Sequence, residues 1–311
     1  MYSFKEREDS CATVFAQLQP VWHLYTQGQG TPLIFKEPGD YRFAMNVIAQ
    51  AAYEISDVKV IAFEIMGNHL HLLIAGERER MLQFFRFVRK RLLLGLGDSI
   101  PNGLPATFSP TLQEVKDLHH IRNLIVYINR NGYVADPNHT PFSYPWGTGR
   151  YYFNDYPVLK TLSDVNYTDY RAMFRSRKLS LPEDYLVHDG YVAPPSYCIL
   201  SQGMSLFRNA HQYFFLLGRK VEALSDIAAE IGDGEFLTDN ELFSKLHGII
   251  KKQYDNASLR DLSRAQKLDV ARMLHNSFRS SNGQISRVLD LPQYLVNSLF
   301  PLSASHADIS G

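Results

Sequence analysis

The stretch from Val58 to Ile74 constrains this chain more than any other. Val58 to Met66 and Leu70 to Ile74 are two apolar runs separated only by a short segment holding Gly67-Asn68. Runs of that length around a Gly-Asn break predict two strands joined by a tight turn or a bulge. The neighbouring segments set the frame. Val21 to Thr26 reads as a strand, and a loop rich in Gly and Gln follows it. Asp40 to Ile55 has helical spacing, with Phe43, Val47, Ala51 and Ile55 on one stripe. Glu77 to Leu94 reads as a second helix. A loop holding Pro101, Gly103, Pro105 and Pro110 leads to a third helix, Leu112 to Arg130. The order β-α-β-β-α predicts an α+β protein with a ferredoxin-like antiparallel sheet and helices on one face.

A chain of 311 residues is long enough for about two domains. The expected division is 1–160 for the α+β core, 161–257 for a mainly helical connection, 258–302 for a small helical module and 303–311 for a disordered tail. After Asn131 the chain turns to Gly, Pro and aromatic residues through Phe153, the composition of an irregular covering segment. Aromatic residues make up 13% of the chain, which excludes disorder as its main state. Two cysteines, Cys11 and Cys198, cannot build a disulfide framework or a cysteine zinc site, and they point to a reducing compartment. Residues 1–9 are too charged for a signal peptide, and no apolar run approaches the ~20 residues of a bilayer span. The expectation is a cytoplasmic protein with no membrane partner.

The net charge of zero hides an uneven distribution. Glu222 to Glu241 holds seven acidic residues and no lysine or arginine, so the remainder has 32 basic against 25 acidic residues. Phosphate recognition depends on local clusters, so a basic groove remains compatible with the composition. The acidic stretch itself reads as a solvated helical face.

Two constellations carry chemistry. In His69-Leu70-His71, residues i and i+2 of a strand share a face, so both imidazoles can converge on one divalent ion. Eleven histidines give roughly 0.4 such pairs by chance, so the spacing alone is weak. On the third predicted helix, Val115, Leu118, Ile121, Leu124, Ile125 and Ile128 make an apolar stripe. His120, Asn123, Tyr127 and Asn131 fall on a separate polar one. A phenol and a metal-ligating amide, four residues apart, project together from that helix.

Met66-Gly67-Asn68-His69-Leu70-His71-Leu72-Leu73 resembles the histidine signature of the HUH endonucleases. Tyr127-Ile128-Asn129-Arg130-Asn131, followed by Val134-Ala135, resembles their tyrosine helix. The similarity is to the single-tyrosine transposases, in particular the REP-associated tyrosine transposase branch, and Tyr144-Pro145-Trp146-Gly147 and Tyr151-Tyr152-Phe153 resemble its segment after that helix. It covers about residues 14 to 160. Gly67 and Gly132 stand where that family usually has proline, which predicts a looser backbone beside the site.

The resemblance implies a metal-dependent single-stranded DNA endonuclease and strand transferase. His69, His71 and Asn131 would hold Mg²⁺ or Mn²⁺, and Tyr127 would form a 5′-phosphotyrosine link. Two nitrogen ligands suit Mn²⁺ better than Mg²⁺. A phenol with a pKa near ~10 needs help to attack, and the sequence offers His120 for it. The expected partner is single-stranded DNA, hairpin or repeat-derived, bound by a monomer or homodimer. Arg86, Arg89, Lys90 and Arg91, four positive charges in six residues, offer a backbone groove beside the site, joined by Arg130. A second basic cluster is Arg171, Arg175, Arg177 and Lys178. Trp146, Tyr151 and Tyr152 fit core packing better than base stacking.

Near the C-terminus, Leu262 to Ser277, Gln284 to Leu289 and a helix opened by Pro292 resemble a helix-turn-helix, presenting Gln293, Tyr294, Asn297 and Ser298, with a small helical bundle that closes the protein as the alternative. Two further readings compete with the transposase: a DNA-binding regulator on a retired nuclease scaffold, and a zinc hydrolase using His69 and His71 without a covalent tyrosine.

Overall fold

The computed structural model describes residues 4–28, 31–97, 99–135, 139–140, 142–156, 159–176, 181–218, 239–254, 259, 261–278, 280 and 282–300. The chain divides into two compact units, Met1–Asp233 and Gly234–Gly311. Residues 161–217, expected to form a connection, thus pack within the first unit. The expected boundary at 257/258 falls inside the second. The predicted tail 303–311, most of the acidic stretch, and Arg177 and Lys178 lie outside the described residues.

In the first unit the helix α1 (Phe4–Leu18) precedes β1 (Val21–Thr26), α2 (Pro38–Glu54), β2 (Lys59–Ile65), β3 (Leu70–Ala75), α3 (Arg78–Gly95), β4 (Pro110–Glu114) and α4 (Leu118–Ala135). The four strands form a sheet in the order β2-β3-β1-β4, every neighbour antiparallel. This is the split β-α-β arrangement. The turn between β2 and β3 closes where the Met66 N–H donates to the His69 carbonyl at 2.9 Å.

The third predicted helix was placed too early. Thr111 and Leu112 lie in β4, an edge strand whose Pro110 stands at its first position, where a missing N–H does least harm. The helix begins at Leu118 because Asp117 caps it: the His120 N–H donates to the Asp117 carboxylate at 2.7 Å. It runs on to Ala135, so Gly132 and Tyr133 are helical.

Helices also cover both faces of the sheet, not one. β3 is buried at every position, and alternate residues of a strand face opposite ways. α2 and α3 are the crossover helices. Right-handed crossovers put both on the face of Leu24, Leu70 and Leu72, and they pack on each other. After α5 (Tyr167–Phe174) and α6 (Leu200–Ser205) comes α7 (Ala210–Leu217); α4 packs on the other face of β2 and β3, with α1 and α7 as helical neighbours.

The predicted covering segment protects the open edge of β2. Thr148 donates its N–H to the Phe63 carbonyl at 3.0 Å, Ile65 N–H donates to the Trp146 carbonyl at 2.9 Å, and the Tyr152 hydroxyl donates to the Ile61 carbonyl at 2.8 Å. An unpaired edge invites pairing with other chains, and this segment blocks it. Tyr151 and Tyr152 are buried core residues, while Trp146 stacks on Tyr41 at 5.2 Å between centroids.

The second unit holds α8 (Asp239–Gln253), α9 (Arg264–Ser277), α10 (Asn282–Leu289) and α11 (Gln293–Leu299) around Leu242, Leu246, Val270, Ile285, Leu289 and Val296. A capping box of Ser263 and Gln266 starts α9. Asp290, at φ 51°, makes the sharp turn from α10 towards α11. Among the described residues no helix is long and apolar enough to cross a membrane.

Candidate functional site

β3 and α4 bring the two predicted constellations together. The rings of His69 and His71 lie 4.9 Å apart between centroids and perpendicular, on the sheet face that α4 covers. Tyr127 meets His71 edge-on at 5.6 Å. Asn131 follows one helical turn later. All four are buried, none more than 4% exposed. Asn131 Nδ2 is buried without a hydrogen-bond partner, which makes it a polar group still to be satisfied. By turning about its last bond the amide can offer an oxygen instead.

The hydrogen bonds of Asn68 fix the state of His69. Asn68 Nδ2 donates to the carbonyls of Gly28 and Thr31 at 2.9 and 2.7 Å, so its Oδ1 is committed as an acceptor. His69 Nδ1 lies 2.7 Å from that oxygen and must be the donor. With the proton on Nδ1, Nε2 carries the lone pair, which is the form a metal ligand needs. Among the described residues no group of three or more His, Cys, Asp or Glu gathers as for a metal ion. The expected ligand set has only two such residues, its third member being the Asn131 amide. This donor set, two imidazoles and one neutral amide, fits Mn²⁺ more readily than Mg²⁺.

Two residues of this cluster were not singled out in the sequence. His23 on β1 is fully buried, lies 5.3 Å from His71 between ring centroids and shares a 3.2 Å hydrogen bond with it. Glu64 stands opposite His71 in the β2–β3 register, so both face α4. Burial pushes the Glu64 carboxyl well above the usual carboxylate range, partly offset by a hydrogen bond from the Gly132 amide. The signal for both was strand parity: His23 and Glu64 share a face with His71 once the register is known.

The glycines that depart from the family pattern are close-packed, not loose. A Cβ on Gly132 would collide with the Glu64 carboxyl and the Tyr144 ring. The Gly67 carbonyl accepts N–H groups from Ile34 and Phe35 at 2.9 Å each, and a Cβ there would lie 3.0 Å from Leu33.

Other predicted residues stand apart. His120 shares the polar stripe but lies seven residues before Tyr127, roughly 10 Å of helix rise, beyond direct proton transfer. The helix also carries Tyr133, whose side chain lies outside the described residues; of the two tyrosines, Tyr127 is the one seen in contact with His71. Arg86, Arg89 and Lys90 are exposed on α3. That helix belongs to the layer on the far side of the sheet from His71, so these charges do not flank the site. Arg91 donates to Gln50 Oε1 and the Phe174 carbonyl at 3.2 and 2.7 Å, and Arg130 is buried at 5% exposure. Arg175 is engaged with the Gly95 carbonyl and the Phe43 ring.

In the second unit Gln293, Tyr294, Asn297 and Ser298 form an exposed face of α11, with Tyr294 at 74%. Gln293 donates to Asn297 Oδ1 at 3.0 Å, and Asn282 donates to the same oxygen at 3.1 Å.

Compared with protein-family models, with curated proteins and with solved structures, the chain matches none.

Proposed function

We propose that this chain is a single-tyrosine DNA strand transferase of the HUH type, with Tyr127 as nucleophile. The observation that carries this reading is the placement of Tyr127 edge-on to His71, beside His69 and one turn before Asn131, on one face of an antiparallel sheet. Nothing in the packing of an ordinary core calls for that many buried polar groups in one place.

In the proposed reaction the Tyr127 oxygen attacks a backbone phosphorus of single-stranded DNA. A phosphorus–tyrosine bond forms, the bond to the 3′ oxygen breaks, the phenol gives up its proton and the departing oxygen takes one up. The link preserves the phosphodiester's energy, so a 3′-hydroxyl can reverse the step on the same or another strand. His69, His71 and Asn131 would hold Mg²⁺ or Mn²⁺, which supplies charge stabilisation at the phosphate. Helix α4 holds Tyr127 and Asn131 in fixed relation, the alignment an in-line displacement needs. The face of α11 with Gln293, Tyr294 and Asn297 is offered as a separate duplex-reading surface of helix-turn-helix type, joined by α10 and its three-residue turn.

A second reading has its own support. The His69, His71, Tyr127 and Asn131 side chains are closed to solvent, so DNA reaches Tyr127 only when their cover withdraws. A scaffold that binds DNA without cleaving it would keep that closed form. Incubation with labelled single-stranded hairpins and Mn²⁺ separates the two. A denaturing-gel-stable adduct mapped by mass spectrometry to Tyr127 is the expected result. Binding with no adduct selects the regulator, and cleavage with no adduct selects metal-assisted hydrolysis.

A further inference from the structure

We infer that His23 is a positioning residue that sets the tautomer of His71, as Asn68 does for His69. This rests on the cation reading above. The two imidazoles of the strand pair are each engaged through Nδ1: His69 by Asn68 Oδ1 at 2.7 Å, and His71 by His23 Nε2 at 3.2 Å. A hydrogen bond between two imidazole nitrogens holds one proton, and the ring that keeps it fixes what its other nitrogen can do. If His71 Nδ1 donates, His71 Nε2 carries a lone pair and matches His69 Nε2. If His23 donates instead, His71 offers an N–H beside the lone pair of His69, a combination no cation accepts.

Besides His71, the His23 ring meets that of Tyr25 at 4.9 Å between centroids. His23 lies on β1, a central strand, at 0% exposure, where valine or leucine would pack without a polar cost. Its ring lies edge to edge with that of His71 at an interplanar angle of 26°, so it also restrains how that ring can turn. Ligating histidines generally donate their second N–H to an outer partner, and loss of that partner weakens metal binding about 10- to 100-fold.

The test reads the tautomer directly. Long-range ¹H–¹⁵N spectra of histidine-labelled full-length protein, without metal, should show His71 and His69 both protonated at Nδ1. In His23→Leu the His71 proton should move to Nε2 or exchange between the nitrogens, and Mn²⁺ affinity followed by electron paramagnetic resonance should fall about 10- to 100-fold. His23→Gln, whose carbonyl can still accept, should recover most of that affinity, which a purely space-filling role would not predict. An Nε2-protonated His71 in the wild-type protein overturns the inference, whether or not His23→Leu folds. So does wild-type Mn²⁺ affinity in a folded His23→Leu. Nδ1-protonated His71 together with no saturable Mn²⁺ binding by the wild type supports the tautomer assignment and overturns the cation reading instead.

Discussion

On β3, Leu70, Leu72 and Ile74 face the layer of α2 and α3, whereas His71 faces α4 in the company of His23 and Glu64. Both faces are equally buried, so exposure does not distinguish them. Chemistry does. On β3 the first face supplies only apolar side chains. The second holds imidazoles, a carboxyl, an amide and a phenol that must bond one another or cost free energy. A sheet that can be covered on both sides by apolar residues gains nothing from this arrangement, so the polar face reads as stability given up for a site.

The sharpest break between the faces is at Tyr127. Tyr127→Phe keeps the ring against His71 and removes only the hydroxyl. Covalent adduct formation and strand rejoining on a hairpin substrate should vanish, while urea denaturation shifts by about 1 kcal/mol or less. An undiminished adduct in this variant would sink the assignment of the nucleophile.

On the apolar face the pattern should invert. Leu72→Ala leaves a hole in a fully buried layer and should cost about 2–5 kcal/mol by urea denaturation. At a temperature where the variant is still folded, its adduct yield should stay close to wild type. A loss of adduct with stability preserved would mean the two faces are not separable.

Gly132 tests how tightly α4 is seated on the polar face. Gly132→Ala drives a methyl into the Glu64 carboxyl and the Tyr144 ring, and should cost about 1–3 kcal/mol by thermal denaturation. Unchanged stability would mean that the helix can lift there, as the looser backbone expected from sequence requires.

Much of this was legible from residue patterns alone. The strand pair and the crossover helices follow from periods of 2 and 3.6 and from the Gly67-Asn68 turn, whereas the meeting of His69 and His71 with Tyr127 was an expectation of the family resemblance alone. β4 was not legible, because Pro-Thr-Leu-Gln-Glu is a short, half-exposed edge strand with little alternation, and its Leu112 reads as the first turn of the helix that Asp117 caps. The second helical layer escaped notice because a strand pair buried on both faces has no polar side to reveal it. That layer moved Arg86, Arg89 and Lys90 away from the site. His23 and Glu64 depend on strand register, which spacing along one segment does not supply.

The smallest expected effect concerns what holds α4 from outside. Arg122 on α4 donates to both carboxylate oxygens of Glu8 on α1, at 2.6 and 3.2 Å, and also to the Leu206 carbonyl at 2.6 Å. The hydrogen bond from Arg122 is the main reason the Glu8 carboxyl titrates below its usual range, and desolvation opposes it. A carboxyl whose pKa is lower folded than unfolded adds stability above the unfolded value of 4.5, and that contribution disappears as pH falls through the folded value. Glu8 is about a third exposed, so solvent screening limits the gain to about 1 kcal/mol or less. Glu8→Gln should therefore be slightly less stable than wild type at pH 7, and the two should converge as the pH drops below 4.5. Glu64 has the opposite sign. Its pKa is raised, so its contribution is fully present below 4.5 and is lost as pH rises towards the folded value. Glu64→Gln should accordingly gain on wild type as pH climbs from 4.5 towards neutrality, in denaturant titrations run side by side with Glu8→Gln. Parallel pH trends in the two variants would show that burial beneath α4 does not set the Glu64 carboxyl apart.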